Sequence, residues 1–340
     1  MGGFGVTFYS AWRDGIRRVN AAPAILVSVW LLTVLVSLPF TLALRGMLEQ
    51  HLGESLAADR AVSGVNYSWM QEFEDQTSGL GTTFRPTIIG FGAVLDNLSA
   101  FLDNRPRPVI IAGAAGAYIV LLLFVSGGII DRYARNRATR AHGFFSASGV
   151  FFFRFLRLAV VMAIVYGLLF GYVHPSLFDR LYPRMTRDVT AERTAFLVRI
   201  VLYVVFGLLV AACNVVFDYA KVRAVVEDRR SALGAVHAAL SFVGRNWIAA
   251  ATLYLADFAL FVLMVAIYTV VAPGASGAGG TMWMGFAIGQ AYLLGRLWVK
   301  LVFWASETAL FQGRLAHAGY IAAPTPTWPE SPSAEAIGRA

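Results

Sequence analysis

Charged residues and cysteines are both scarce in this chain, and their scarcity excludes several classes of protein. Only 14% of the residues are charged, whereas soluble globular domains usually contain about 25%. The single cysteine, Cys213, excludes an internal disulfide and a cysteine metal cluster. No HExxH motif, Walker loop, GxSxG motif or paired acidic motif is present. We therefore expect a protein that is not an enzyme and has no catalytic residues, no metal site and no cofactor.

Long apolar runs are abundant instead. The chain is 58% hydrophobic with a mean hydropathy of +0.63, and about six runs approach the roughly 20 residues that a helix needs to cross a bilayer. Backbone groups in lipid must be hydrogen-bonded within their own segment. The sequence therefore predicts an all-α, polytopic transmembrane helix bundle, with about six crossings arranged as three hairpins. The runs are 22–44, 108–130, 155–173, 195–217, 247–271 and 284–310.

Basic residues between the runs predict an orientation. The net charge is +8, and arginines are concentrated in segments 131–157 and 218–245. Because cytoplasmic loops are enriched in Arg and Lys, we predict that these segments and both termini are cytoplasmic, in a bacterial cytoplasmic (inner) membrane. Loop 174–194, which has four arginines beside three acids, argues for the opposite orientation but is outweighed.

The same basic residues suggest which partners the protein has. At the cytoplasmic face they are expected to contact anionic lipid headgroups or a partner protein, and no nucleic-acid partner is expected. The arginines concerned are Arg17, Arg18, Arg132, Arg135, Arg154, Arg157 and Arg245.

Basic amphipathic stretches precede the first, third and fifth runs, at residues 8–20, 144–157 and 232–246. One interpretation is three copies of a unit that joins a cytoplasmic connecting helix to a transmembrane hairpin. The alternative is that any helix entering from the cytoplasm has arginines at its boundary. We divide the chain into a cytoplasmic amphipathic segment (1–21), the transmembrane bundle (22–310, including an outer loop at 45–107) and a cytoplasmic tail (311–340) that is disordered at its end.

The outer loop, residues 45–107, is too long to be a turn and is rich in acids. Ser68 is predicted to cap a short helix over 69–76. Apolar residues after Pro86 fall on one stripe and predict an amphipathic helix over 86–104. That helix could lie at the membrane interface, cover the bundle as a lid, or bind a membrane-protein partner.

Ionisable residues at lipid depth are the strongest candidates for a site, because each costs about 2.5–3.5 kcal/mol without a partner or water. Counting residues along antiparallel helices places Asp257 and Arg296 at a similar depth. We predict an Asp257–Arg296 ion pair near the midplane, which either fixes the packing of the last hairpin or belongs to an ion, proton or anionic-substrate path. Neighbouring polar residues in the last helix are Gln290, Lys300 and Glu307.

Small residues at a spacing of four indicate where helix backbones approach each other closely. Gly285 and Gly289 form such a motif in the outer half of the last run. They predict that the last helix packs closely against a neighbour at this point.

Several segments resemble a known group. The stretch 217–223 (FDYAKVR), residues 235–247 and the sequence GGIID at 127–131 resemble bacterial six-helix membrane proteins. They are similar to the membrane domain found beside glycerophosphodiester phosphodiesterases. The resemblance covers about a third of the chain. It implies helical hairpins with amphipathic connectors and implies no catalytic residues, since the phosphodiesterase domain has no counterpart here.

Two functions fit these observations. The first is a non-catalytic membrane module that binds lipid or a partner complex and acts as a scaffold. The second is a small transporter or channel in which Asp257, Gln290, Arg296 and Lys300 line a polar path. We favour the first, because the polar residues are too few to line a continuous path.

Overall fold

A computed structural model describes residues 7–53, 56–63, 66–85, 90–106, 108–272 and 279–315. Within these residues the chain is a helical bundle with no strand, which confirms the predicted all-α fold class. Six of the described helical segments are long and apolar enough to cross a membrane. The predicted disorder of the tail falls outside the described residues.

The spanning helices begin and end as follows: α2 at Pro23–Leu52, α6 at Val109–Arg135, α7 at Ala141–Leu168, α9 at Glu192–Val226, α11 at Trp247–Val271 and α12 at Gly280–Arg314. The other α-helices are α1 (Phe8–Asn20), α3 (Ala57–Ser63), α4 (Tyr67–Gln76), α5 (Gly90–Leu102), α8 (Tyr182–Thr186) and α10 (Ala232–Arg245). A 3-10 turn covers Gly81–Thr83. α7 continues through two π-helical segments, Leu169–Val173 and Ser176–Leu181, into α8.

Each predicted run matches one spanning segment, with the runs 22–44 and 108–130 beginning one residue before their helices, and most helices extend past the end of the run. The apolar run marks only the part in lipid, whereas caps determine where the helix ends. α6, for example, continues five residues past Ile130 and ends at Arg135, where Asn136 adopts the left-handed conformation with φ 49°.

Separate short helices form at two of the three places where connecting helices are predicted. α1 and α10 are separate helices. The stretch 144–157 is not, because α7 begins at Ala141 and runs through it into the membrane span without a break. No proline or cap interrupts residues 141–168, so the expectation of a separate second connector is wrong.

The core lies at one end of the bundle, which carries α1, α10 and the connector between α6 and α7. We call it the basic end. The last four turns of α12 pass through its centre, where Leu301, Val302, Leu310 and Phe311 are almost completely buried. α1 packs along these turns, and Arg18 joins it to the neighbouring helices by donating to Tyr133 O and Gln312 Oε1. Because α1 and the end of α12 are in contact, the two ends of the described chain lie on the same side.

Close helix packing occurs at two glycines that the sequence analysis did not identify. A Cβ built on Gly15 of α1 would lie 2.6 Å from the backbone nitrogen of Ser306, and one on Gly128 of α6 would lie 2.7 Å from Phe144 O in α7. Apart from its own helix backbone and chain neighbours, no heavy atom of the described residues lies within 4 Å of a Cβ built on Gly289. The predicted packing role of Gly289 is therefore wrong within this chain, and that of Gly285, one turn away, stays a prediction.

The outer loop contains a small aromatic cluster. Trp69, Met70 and Phe73 of α4 are buried against the end of α2, and the Trp69 indole donates to His51 Nδ1 at 3.1 Å. The cap of α4 is Asn66, whose side chain accepts from Trp69 N at 3.2 Å. The predicted Ser68 cap is wrong because the helix begins earlier, at Tyr67.

α5 forms within the predicted range 86–104, of which residues 86–89 lie outside the described residues. Its end is anchored on the bundle: Asp103 accepts a hydrogen bond from Tyr203 of α9, and His174 is hydrogen-bonded to Leu102 O at 2.8 Å. Leu95 and Leu98 of the predicted apolar stripe stay about half exposed. α5 is therefore tied at one end, with much of its apolar face uncovered by the described chain.

The glycine contacts predict a clear difference between two identical substitutions. Gly15→Ala should destabilise the protein by about 1–3 kcal/mol, because the new methyl group meets backbone atoms that cannot rotate away. Gly289→Ala should be neutral or slightly stabilising, since alanine favours the helix and meets no neighbour. Thermal unfolding in the same detergent measures both effects, and equal stability of the two variants would contradict the assignment.

The anchor of α5 predicts a pH dependence. The Tyr203 hydrogen bond lowers the pKa of Asp103 below its usual value, so the carboxylate contributes stability above the unfolded-state pKa of about 3.9, and this contribution is lost as the pH falls through the folded value. Asp103→Asn should lower the unfolding temperature at pH 7, and its unfolding temperature should differ less from that of the wild type at pH 3. Asp188→Asn, at an exposed position between α8 and α9, is the control and should have the wild-type unfolding temperature at both pH values.

Candidate functional site

A cavity of about 770 Å³ lies among α2, α6, α7, α9, α11 and α12. We call it the central cavity. Its walls are mostly apolar, with leucines of α6 and α12 on one side and Phe261 of α11 on another. Ten polar side chains also line it: Thr33, Tyr118, Ser126, Tyr166, Asn214, Asp218, Lys221, Tyr254, Arg296 and Lys300. Apolar walls with a few convergent polar groups are typical of ligand sites.

Two of the charged groups in the cavity form a pair on α9. Lys221 and Asp218 are three residues apart, so they share one face of the helix. Lys221 Nζ donates to Asp218 Oδ1 at 2.7 Å. Lys221 Nζ also lies 5.8 Å from the centre of the Trp304 ring. This pair is close to neutral as a unit.

The other two cations, Arg296 and Lys300, lie one turn apart on α12. Lys300 Nζ lies 5.5 Å from the Trp304 ring centre, which offers a weak cation–π contact. Among the described residues, neither cation has a carboxylate within ion-pair distance. With three cations and one carboxylate in its walls, the cavity carries an excess positive charge of about two.

Neutral hydrogen-bonding groups also line the cavity. Tyr166 of α7 donates to Asn214 Oδ1 of α9, and Tyr254 of α11 lines the same wall. Hydroxyl and amide groups can donate to oxygen atoms of a bound anion as well as to one another. The cavity therefore combines a cationic wall, a polar neutral wall and apolar surface.

The predicted Asp257–Arg296 pair is wrong. Asp257 is fully buried and accepts a hydrogen bond from Ser306 Oγ at 2.7 Å. Ser306 lies ten residues beyond Arg296, which corresponds to about 15 Å along α12.

The error has a physical cause in how the last two helices align. Tyr268 of α11 stacks on Tyr292 of α12 at 4.0 Å, and a Cβ on Gly295 would touch Met264 Sδ. α12 therefore extends beyond the end of α11 that lies away from the basic end. As a result, Asp257 meets a later turn of α12 than residue counting from the helix ends predicts.

Asp257 belongs instead to a second group, which we call the buried polar cluster and define as Trp12, Tyr219, Asp257, Ser306 and Glu307. All but the partly buried Trp12 are nearly inaccessible to solvent. The Tyr219 hydroxyl and Glu307 Oε2 are buried without a hydrogen-bond partner in the described structure, whereas the Trp12 indole interacts with the Asp257 carboxylate. The cluster lies where α1 packs against α11 and α12.

The residues predicted to form one polar set are thus separated in the structure. Arg296 and Lys300 line the central cavity, and Asp257 and Glu307 lie in the buried polar cluster. Gln290 accepts a hydrogen bond from Trp30 Nε1 at 2.9 Å and so joins α12 to α2.

Sequence reasoning missed the contribution of α9 to the cavity. The apolar run was taken to end at Phe217, which placed Asp218 and Lys221 in a solvated connector. The helix in fact continues to Val226. The three-residue spacing of an acid and a lysine directly after the run is a signal that could have identified a pair inside the helix.

The arginines predicted to contact lipid headgroups fall into three groups. Arg18, Arg135 and Arg154 each form an ion pair inside the protein, with Asp14, Asp131 and Asp228 respectively. Arg17, Arg157 and Arg245 are exposed, and Arg17 also forms an ion pair with Asp14. Headgroup contact stays a prediction for these three. Arg132 is buried and forms no ion pair among the described residues.

Comparisons with protein-family models, with characterised proteins and with solved structures find no match to this chain. The similarity to the membrane domain found beside glycerophosphodiester phosphodiesterases therefore stays a prediction.

A double-mutant cycle can test the position of Asp257. Hydrogen bonds to charged groups contribute about 1.5–3 kcal/mol, so Asp257→Asn and Ser306→Ala should show a coupling free energy of about 1 kcal/mol or more when combined. Asp257→Asn and Arg296→Gln should be additive within about 0.5 kcal/mol, because distant sites do not couple. The measurement is the free energy of unfolding in mixed micelles, and coupling only in the second pair would restore the original prediction.

Proposed function

We propose that this protein is a non-catalytic membrane protein that binds an anionic amphiphile, such as a lipid, in the central cavity. The observation that carries the proposal is the pair Arg296 and Lys300, which faces the cavity without a carboxylate partner among the described residues. A phosphate or carboxylate group is the natural partner of two such cations.

Energetics support an anionic occupant. A cation within a membrane helix costs about 2.5–3.5 kcal/mol unless it reaches water or a partner. An anion between Arg296 and Lys300 would offset this cost for both side chains. The neutral polar wall of Tyr166 and Asn214 would bind the remaining oxygen atoms of the same headgroup.

The apolar walls support an occupant with a hydrocarbon part. Leu122 and Leu123 of α6 and Phe261 of α11 line the cavity beside the cations. A small inorganic anion would leave this surface in contact with water, whereas an acyl chain would cover it. An amphiphile therefore matches both kinds of surface.

The proposal includes a location and an orientation. We place the protein in a bacterial inner membrane with the basic end, and so both termini, in the cytoplasm, because Arg-rich segments are retained on that side. The loop 45–107 then lies outside, where the exposed apolar face of α5 could bind a membrane-protein partner.

A transporter is the second candidate. Glu307 in the buried polar cluster lies within electrostatic range of both Asp218 in the central cavity and Asp257. A file of polar groups that leads from a cavity towards the basic end is a feature expected of a transport path.

Native mass spectrometry of the gently purified protein tests the proposed function. The protein is delipidated and titrated with dioleoyl phosphatidylglycerol or, as a zwitterionic comparison, dioleoyl phosphatidylcholine. We expect Lys300→Met to weaken phosphatidylglycerol binding about tenfold, since one charge-assisted hydrogen bond is lost. Arg193→Gln, at an exposed position in the first turn of α9, is the control. Unchanged affinity in Lys300→Met and Arg296→Gln, both folded, would overturn the proposal.

Reconstitution in liposomes separates the two candidates. A binding module should show no flux of a fluorescent anionic amphiphile between the leaflets or across the membrane. A transporter should show flux that Asp257→Asn abolishes while membrane insertion stays normal.

A further inference from the structure

A second cavity, of about 470 Å³, lies at the basic end between the first turns of α2, the last turns of α6 and the first turns of α7. We call it the basic-end groove. Its deeper part is apolar and includes Ile25, Val29, Leu32 and Val125. Leu32 lies nine residues from the start of α2, so the groove extends about 14 Å from the end of the bundle along the helix axis.

Arg132 supplies a charge to the mouth of this groove. Its side chain lines the groove, and the residue is only 9% exposed. Nη1 is buried and has no hydrogen-bond partner in the described structure. The adjacent Asp131 does not neutralise it, because both Asp131 oxygens accept from Arg135 Nε at 2.9 Å. A buried guanidinium nitrogen without an acceptor is costly, and an anion beside the part of the side chain that lines the groove would offset the charge.

Two helix N-termini point to the same place. α2 begins at Pro23 after Ala22, and α7 begins at Ala141 after Arg140; neither start has a hydrogen bond from a capping side chain. Ala22, Pro23 and Ala141 all line the groove. The partial positive charge at a helix start favours an anion. α2 offers few free N–H groups, because Pro23 has none and Ile25 N donates to Ala22 O at 3.0 Å, so the first N–H groups of α7 are the better donors. Arg132 and two uncapped helix starts therefore face one space.

We infer that the basic-end groove binds one anionic phospholipid, with its phosphate at Arg132 and the starts of α2 and α7. One acyl chain lies along Ile25, Val29 and Val125. This inference deepens the proposed lipid-binding function by assigning a second site, at the interface rather than within the bundle. The lipid phosphate would then connect Arg132 of α6 to the first turns of α2 and α7.

The surroundings of the groove favour a phospholipid over other occupants. Free phosphate would satisfy Arg132 but leave the apolar depth of the groove uncovered. The groove is continuous with exposed apolar side chains on the neighbouring helices, including Val27, Leu31 and Phe145, which a bilayer would cover. A lipid at this place therefore needs no opening of the bundle.

The test is the same native mass spectrometry titration with dioleoyl phosphatidylglycerol, with inorganic phosphate alone in a parallel arm. We expect Arg132→Met to bind one phosphatidylglycerol fewer, or to bind it about tenfold more weakly, and Arg132→Lys to retain part of the affinity. Binding of inorganic phosphate as tight as that of the lipid would overturn the assignment to a phospholipid.

A matched pair on α2 tests the groove without changing Arg132, in case that variant does not fold. Ser28 is exposed and lines the groove, so Ser28→Trp should fill it and remove one bound lipid. Ser37→Trp lies nine residues later on the opposite face of the same helix, at another exposed position, and should keep that lipid. Equal lipid counts in the two tryptophan variants would overturn the inference.

Lys300→Met separates the two proposals. If it weakens lipid binding while Arg132→Met and Ser28→Trp do not, the central cavity is supported and the basic-end groove is overturned. If the groove variants lose a lipid while Lys300→Met does not, the basic-end groove is supported and the central cavity is overturned. Losses that add in the double variant Lys300→Met, Ser28→Trp would support both sites.

Discussion

The close approach of α1 to α12 at Gly15 and Ser306 is the contact on which the arrangement of the basic end depends. Only a glycine allows the α1 backbone to lie this near the Ser306 backbone. Once α1 is in this position, Arg18 reaches the carbonyl of Tyr133 in α6 and the side chain of Gln312 in α12. α1 therefore packs on the helix bundle and covers its basic end.

The same contact determines the surroundings of Asp257. Ser306 donates to its carboxylate, and the Trp12 indole of α1 lies in the same cluster. A carboxyl group in this position is shielded from both lipid and solvent. Its buried location follows from the docking of a surface helix, and the cation that the sequence suggested as its partner takes no part.

The cationic side chains of the bundle fall into two groups, which differ in whether a carboxylate of the chain neutralises them. Some arginines at the basic end, such as Arg135, form ion pairs with acids four residues away on the same helix. Arg296, Lys300 and Arg132 instead face cavities without a carboxylate partner among the described residues. The arginines of the first group are neutralised by carboxylates of the same chain. For the cations of the second group, a bound anionic ligand would lower the free energy of the folded protein. Both proposals rest on that distinction.

The sequence alone determined the class of fold, because crossing a bilayer requires about 20 apolar residues and internally paired backbone groups, and both requirements are local. It also determined most helix positions, with α11 matching its predicted run at both ends. Only the tertiary structure decided which polar groups meet. The register of α11 against α12, the length of α9 beyond Phe217 and the glycine that admits α1 depend on side-chain packing between distant segments, and no local pattern contains that information.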